Sequence, residues 1–206
     1  MVGLLRPDAG TVKIKGIDVW PDPTAIKATV GVLPDDLRLF ERLSGEELLL
    51  YVGLLRRLDR DEVLHRSKEL LALLGLDKAG NDLVADYSTG MRKKIALAAA
   101  LVHSPSVLLL DEPFESVDPV SSKIIVEVLQ HYRRAGGTIV FSSHVMDTVE
   151  RLCDHVAIVS DGRIARSGTV EMLTRKWEVR LEDIFVDAVG GIVDHSGQAL
   201  AWLGQP

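Results

Sequence analysis

Residues Ser106–Leu110 (SVLLL) form an apolar run without alternation that stops abruptly at Asp111-Glu112-Pro113. A strand of that pattern has to be covered on both faces, the condition of a strand inside a parallel sheet flanked by helices. The segments after it repeat the arrangement. A helical pattern over Val120–Arg134 leads to the strand Gly137–Phe141 (GTIVF), a second helix reaches Leu152, and the strand His155–Ser160 (HVAIVS) follows. Asp161-Gly162 then turns the chain into a hairpin partner over Arg163–Ser167. Strand and helix in alternation predict an α/β core with helices on both faces of its sheet.

Upstream, Thr11–Gly16 alternates apolar and polar residues and reads as a half-exposed strand. Ala28–Pro34 (ATVGVLP) reads as a short buried strand stopped by proline. Residues 1–5 read as the last turn of an apolar helix, with Pro7–Gly10 as the turn after it. The stretch between about 41 and 100 is helical throughout and interrupts the core. Ser44 and Glu47 have the spacing of a capping box. Asp61–Leu74 carries acidic residues in its first turn, apolar positions at Val63, Leu64, Leu70, Leu71 and Leu74, and Gly75 as its stop. Beyond Val170 the sequence predicts helical fragments around Leu181–Val189 and then a polar tail.

Composition excludes several classes. A net charge of -6 over 206 residues argues against a nucleic-acid binder held by a general positive field. The one cysteine, Cys153, rules out an internal disulfide and reads as a small buried side chain. The longest apolar stretch, Ile95–Val102, has eight residues against the roughly 20 of a membrane helix. Any service to a membrane has to pass through a partner.

Three stretches carry chemistry. Asp111 and Glu112 end a buried strand at its C-terminal edge, where open α/β sheets bind ligands. In nucleotide hydrolases the first such acid organises magnesium and the second polarises the attacking water; the same pattern also suits a strand that ends in solvated acids. Val140–His144 ends the next strand in the same way and brings His144 toward that edge. Tyr87-Ser88-Thr89-Gly90-Met91 opens a helix whose unpaired N–H groups favour an anion, although ordinary helices begin with the same residues.

Taken together, in order and spacing, Tyr87–Met91, Ser106–Pro113, Ser116-Val117-Asp118 and Ser143-His144 resemble the signature loop, Walker B strand, D-loop and switch histidine of ATP-binding cassette (ABC) ATPases. Gly31–Phe40 is similar to that family's Q-loop and Gly10–Asp18 to the strand ahead of it. The YSTGM form, with Gly168 and Leu181–Gly191, resembles ATPase subunits of bacterial ABC-2-type exporters. Two departures stand out. Asp35 occupies the Q-loop glutamine position, and the signature has Thr89 for glycine and Met91 for glutamine.

The resemblance implies a P-loop NTPase-like α/β core over residues 1–40 and 91–169, an inserted helical subdomain over 41–90 and a C-terminal helical extension over 170–206. Its phosphate loop would read G-x-x-x-x-G-K-[ST], yet none of the 17 glycines is followed by lysine. The core is therefore expected to be N-terminally truncated, with the first strand and the phosphate loop upstream of Met1. Losing about four charge-assisted bonds removes on the order of 6–12 kcal/mol of nucleotide binding, so the chain alone is expected to be inactive.

By the same resemblance the chain is a nucleotide-binding subunit that powers export with ATP and Mg²⁺. Glu112 and His144 are its catalytic residues. Ser88, Thr89, Gly90, Met91 and Asp118 face nucleotide, and Asp111 with Asp35 face the metal. Its partners are a transmembrane permease subunit and a second ABC ATPase subunit, in a homo- or heterodimer, and no nucleic acid. Its place is cytoplasmic, peripheral on the inner face of the cell membrane. The alternative is a non-catalytic subunit that completes or regulates another cassette's site.

Overall fold

The apolar run Ser106–Leu110 supplies the middle strand of a three-stranded parallel sheet. The computed structural model describes residues 5–177 and 180–190, which fall into two compact units, residues 1–143 and 144–206. In the first, β1 (Lys13–Ile14) and β2 (Ile17–Asp18) form a short hairpin, followed by α1 (Pro23–Thr29) and β3 (Val30–Leu33). The helices α2 (Gly45–Leu55), α3 (Arg60–Leu73) and α4 (Thr89–Leu101) come next. The unit closes with β4 (Val107–Leu110), α5 (Pro119–Arg134) and β5 (Thr138–Phe141). The strand order is β3-β4-β5, and the register pairs Leu33 with Leu110 and Leu110 with Phe141.

Both faces of β4 are covered, as its unbroken apolar pattern demands. Leu108 and Leu110 enter the main core with Leu48 and Leu49 of α2, Ile95 and Leu97 of α4, and Ile125, Val128 and Leu129 of α5. Val107 and Leu109 pack on the other face against Val19, Ile26 and Val30. Burying a side chain of this size contributes about 1.5–3 kcal/mol, so this double cover anchors the strand. β5 differs: Ile139 and Phe141 face the core, while Val140 is 42% exposed. Gly31 has a specific reason to be glycine. A Cβ there would stand 2.2 Å from the Ala100 carbonyl oxygen, which would drive α4 off β3.

The helix signals act as expected at α2 and α3. Ser44 and Glu47 complete the capping box of α2, Asp59 caps α3, and Gly75 at φ +63° ends the following turn. Three expectations need correction. The strand expected over Thr11–Gly16 shrinks to β1, because Lys15 and Gly16 both take positive φ and reverse the chain. Ala28 and Thr29 belong to α1, which Asp22 caps and proline starts. Leu64 lies outside the apolar face of α3 and is 43% exposed. Of the helical turn expected over residues 1–5, residues 1–4 lie outside the described residues, and Leu5 is an exposed bend.

The second unit holds α6 (Met146–Leu152), β6 (His155–Ser160), β7 (Arg163–Thr169), α7 (Val170–Trp177) and α8 (Leu181–Ala188). β6 and β7 form the expected antiparallel hairpin, turned by Asp161 and Gly162 at positive φ. Val149, Ile158, Leu181 and Ile184 are its buried apolar residues, and the α8 amide of Leu181 donates to Glu150 Oε1 at 2.5 Å. Cys153 is partly buried, and burial, with Asp154 beside it, pushes its thiol up to about 11, so it is an inert side chain. The polar tail expected beyond residue 190 lies outside the described residues. Among the described residues no helix is long and apolar enough to cross a membrane.

One buried group makes the first unit pH-sensitive. His103 Nε2 lies 3.1 Å from the Val30 carbonyl oxygen, to which it must donate, and buried Nδ1 has no hydrogen-bond partner. Burial, reinforced by Arg56 and Arg66, lowers its pKa from the ordinary 6.5, so the ring is held neutral. The unfolded chain then takes up the proton first, and stability present above pH 6.5 is lost as pH falls below it. Urea unfolding should show this as a loss of up to about 1.4 kcal/mol per pH unit that is reduced in His103→Asn. Equal pH slopes in the two proteins would contradict it.

Candidate functional site

The parallel ladder continues one residue past each strand end. The Asp111 amide donates to the Leu33 carbonyl at 2.8 Å, and the Ser142 amide donates to the Leu110 carbonyl at 3.0 Å. Asp111, Glu112 and Ser142 therefore leave the sheet at one edge, the edge from which Asp35 follows Leu33 by two residues. Ser142 binds both acids. Its hydroxyl donates to Asp111 Oδ1 at 2.5 Å and accepts the Glu112 amide at 3.0 Å.

Glu112 has φ +43°, the left-handed region, and is partly buried. That conformation costs a residue with a Cβ on the order of 1–2 kcal/mol and needs external support. One support is the Ser142 bond to its amide. Another is Lys93 of α4, only 5% exposed, whose ammonium donates to the Glu112 carbonyl at 2.9 Å. The same ammonium lies 3.7 Å from Asp35 Oδ1. Asp35, Asp111 and Glu112 are thus gathered by two residues from other elements.

The signature stretch forms the N-terminus of α4. Ser88 is its N-cap and accepts the Met91 amide at 3.3 Å. Ser88 and Thr89 are exposed, and Met91 is half-buried against the main core. Tyr87 is buried and donates from its hydroxyl to the Ala79 carbonyl at 2.7 Å, and Arg92 bonds Glu41 Oε1 at 2.7 Å. Gly90 is buried against the start of α5. A Cβ there would lie 2.7 Å from Ser121 Oγ and 2.8 Å from Asp118 Oδ2. Asp118 caps α5 by accepting the amides of Val120 and Ser121, and the Ser121 bonds hold its carboxyl below the ordinary carboxylate range.

The expected residues thus form two groups in the first unit. Asp35, Asp111 and Glu112 follow the strand ends at one edge of the sheet, while Gly90 and Asp118 meet at the α4–α5 junction, where Ser88–Met91 opens α4. Lys93 lies one helical turn beyond Gly90 and joins them through α4. His144 opens the second unit, two residues ahead of α6. Sequence reasoning missed Ser142 and Lys93 as site residues. A signal for Lys93 existed: positions 90, 93, 94 and 97 share the buried face of α4, and a lysine on such a face needs a partner. For Ser142 the sequence offers only its place, one residue beyond a strand.

The ABC transporter family matches residues 1–115 of the chain. The chain is 37% identical over 174 residues to the ABC transporter ATP-binding protein NatA of Bacillus subtilis, covering 84% of this chain and 71% of NatA. It is 32% identical over 166 residues to the daunorubicin/doxorubicin resistance ATP-binding protein DrrA of Streptomyces peucetius, covering 81% of this chain and 50% of DrrA. A solved structure of an ATP-binding subunit of an ABC transporter superposes with a TM-score of 0.83 at 27% identity, covering 91% of this chain and 79% of that one.

Ser142→Ala removes the shared hydroxyl from Asp111 and Glu112 together. Unfolding free energy from urea titration should fall by about 1 kcal/mol. A variant as stable as the parent would show that the bridge does not support the strand end.

Proposed function

The chain belongs to the ABC transporter ATP-binding family, and on that premise we propose that its two acids serve ATP hydrolysis coupled to export. The observation that carries the reading is the Ser142 hydroxyl shared by Asp111 and Glu112 at the parallel sheet edge. It fixes two adjacent acids of unequal task. Asp111 fits a Mg²⁺ ligand, since that ion takes one or two carboxylates and fills its other positions with water and phosphate oxygens. Bound there, the ion would neutralise charge on the phosphates.

Glu112 then polarises a water for attack on the γ-phosphorus and accepts its proton as the bond to ADP breaks. His144 donates a hydrogen bond to a γ-phosphate oxygen. Ser88, Thr89 and Gly90 offer hydroxyls and helix N–H groups to the triphosphate of an opposing subunit, with Met91 beneath them and Asp118 at the subunit boundary. Asp35, paired with Lys93, belongs to the same sheet edge and passes closure to the helices α2 and α3. A transmembrane subunit is the partner that would receive it, with the chain seated on the cytoplasmic side of the membrane. None of the 17 glycines of these 206 residues is followed by lysine.

A second reading starts from the exposure of Ser88 and Thr89 at the start of α4: the chain completes or regulates a partner's site through its signature. One experiment separates the two in the assembled transporter. In the hydrolytic reading, Glu112→Gln lowers steady ATP turnover about a hundredfold or more and traps bound nucleotide. In the second reading, Glu112→Gln leaves turnover intact while Gly90→Asp abolishes it. Parent-rate hydrolysis by both variants would reject either role.

A further inference from the structure

Lys93 is a buried cation facing Asp35, an acid that stands where the family resemblance implies glutamine. Its position on α4 is set by neighbours that are themselves buried, Gly90, Lys94 and Leu97, so the side chain cannot turn to solvent. An ammonium in such a place is expensive unless it is paired and hydrogen-bonded. Both conditions are met by the reaction edge of the sheet. The ammonium donates to the Glu112 carbonyl oxygen at 2.9 Å and has Asp35 Oδ1 at 3.7 Å. The two flanking peptide groups of Glu112 are thus held from opposite sides, the amide by Ser142 and the carbonyl by Lys93 with the Glu115 amide at 3.2 Å. The residue between them is the one with left-handed φ, a conformation that persists only where its surroundings over-determine it.

We propose that Lys93 is a positioning residue for Glu112, holding its backbone in the left-handed conformation that aims the carboxylate, and that Asp35 is the counter-charge that keeps the ammonium in place. The proposal rests on the reading of Glu112 as the water-polarising group. It gives the aspartate at the Q-loop position a task different from that of the glutamine it replaces. It also ties the signature helix to the acid strand: displacement of α4 would pull on the Glu112 carbonyl.

The test has a structural and a kinetic arm. Crystal structures of the parent chain, Lys93→Met and Asp35→Asn should show Glu112 at positive φ in the parent, at negative φ in Lys93→Met, and the Lys93 ammonium displaced from the Glu112 carbonyl in Asp35→Asn. An ammonium that stays in place there removes the counter-charge role from Asp35. A positive φ retained in Lys93→Met overturns the proposal. If that variant does not fold, the parent alone decides by NMR: a scalar coupling across the hydrogen bond from Lys93 Nζ to the Glu112 carbonyl carbon is expected, and its absence overturns the proposal. In the assembled transporter, Lys93→Met should lower kcat about tenfold or more with KM changed less than about twofold. An unchanged kcat, or a loss confined to KM, counts against a positioning role. A parent that hydrolyses no ATP would defeat the functional reading instead, and the structural arm would still judge Lys93.

Discussion

Register in the parallel sheet is the constraint on which the rest of the molecule depends. Leu33, Leu110 and Phe141 stand side by side across β3, β4 and β5, so the residues that follow them emerge together. A one-residue slip would turn each side chain to the opposite face. It would move Leu108 and Leu110 out of the main core and exchange Asp111 with Glu112 at the edge. Burial therefore enforces the alignment of the acids. The apolar contacts that stabilise the fold and the polar contacts that shape the site are consequences of the same pairing.

The polar contacts are modest one by one and effective in combination. A left-handed glutamate costs on the order of 1–2 kcal/mol, and a single neutral hydrogen bond contributes about 0.5–1.5 kcal/mol. One bond leaves the conformation marginal; the Ser142 and Lys93 bonds together offset it. The arrangement also explains why α4 is so deeply embedded. Its N-terminus lies against Asp118 and Ser121 through Gly90, its second turn reaches Glu112 through Lys93, and its last turn rests on β3 through Gly31. One helix thus contacts the start of α5, the Glu112 carbonyl, Asp35 and β3.

Much of this was legible in the sequence because it follows from period and capping. An unalternated apolar run ending in two acids identified β4 and its edge. Ser44, Glu47 and Gly75 marked helix ends, and Asp161-Gly162 marked the β6–β7 turn. What was not legible depends on contacts between distant residues. Nothing local reveals that Glu112 is left-handed, since its support comes from Ser142 and Lys93, 30 and 19 residues away. Thr11–Gly16 misled because alternation identifies an extended stretch and does not show that Lys15 and Gly16 fold it back. Leu64 misled because apolar residues also occur singly on helix surfaces.

The chain belongs to the ABC transporter ATP-binding family, and the proposed role of its covered strand is to present Asp111 and Glu112 to a magnesium-bound triphosphate. The most direct measurement is a crystal structure of the assembled ATPase pair bound to Mg²⁺ and a non-hydrolysable ATP analogue. Asp111 is expected in contact with the ion, directly or through one water, Glu112 beside the water that faces the γ-phosphate, and Ser88–Gly90 on the triphosphate held by the opposing subunit. Nucleotide bound elsewhere, with the β4 edge facing bulk solvent, would contradict it.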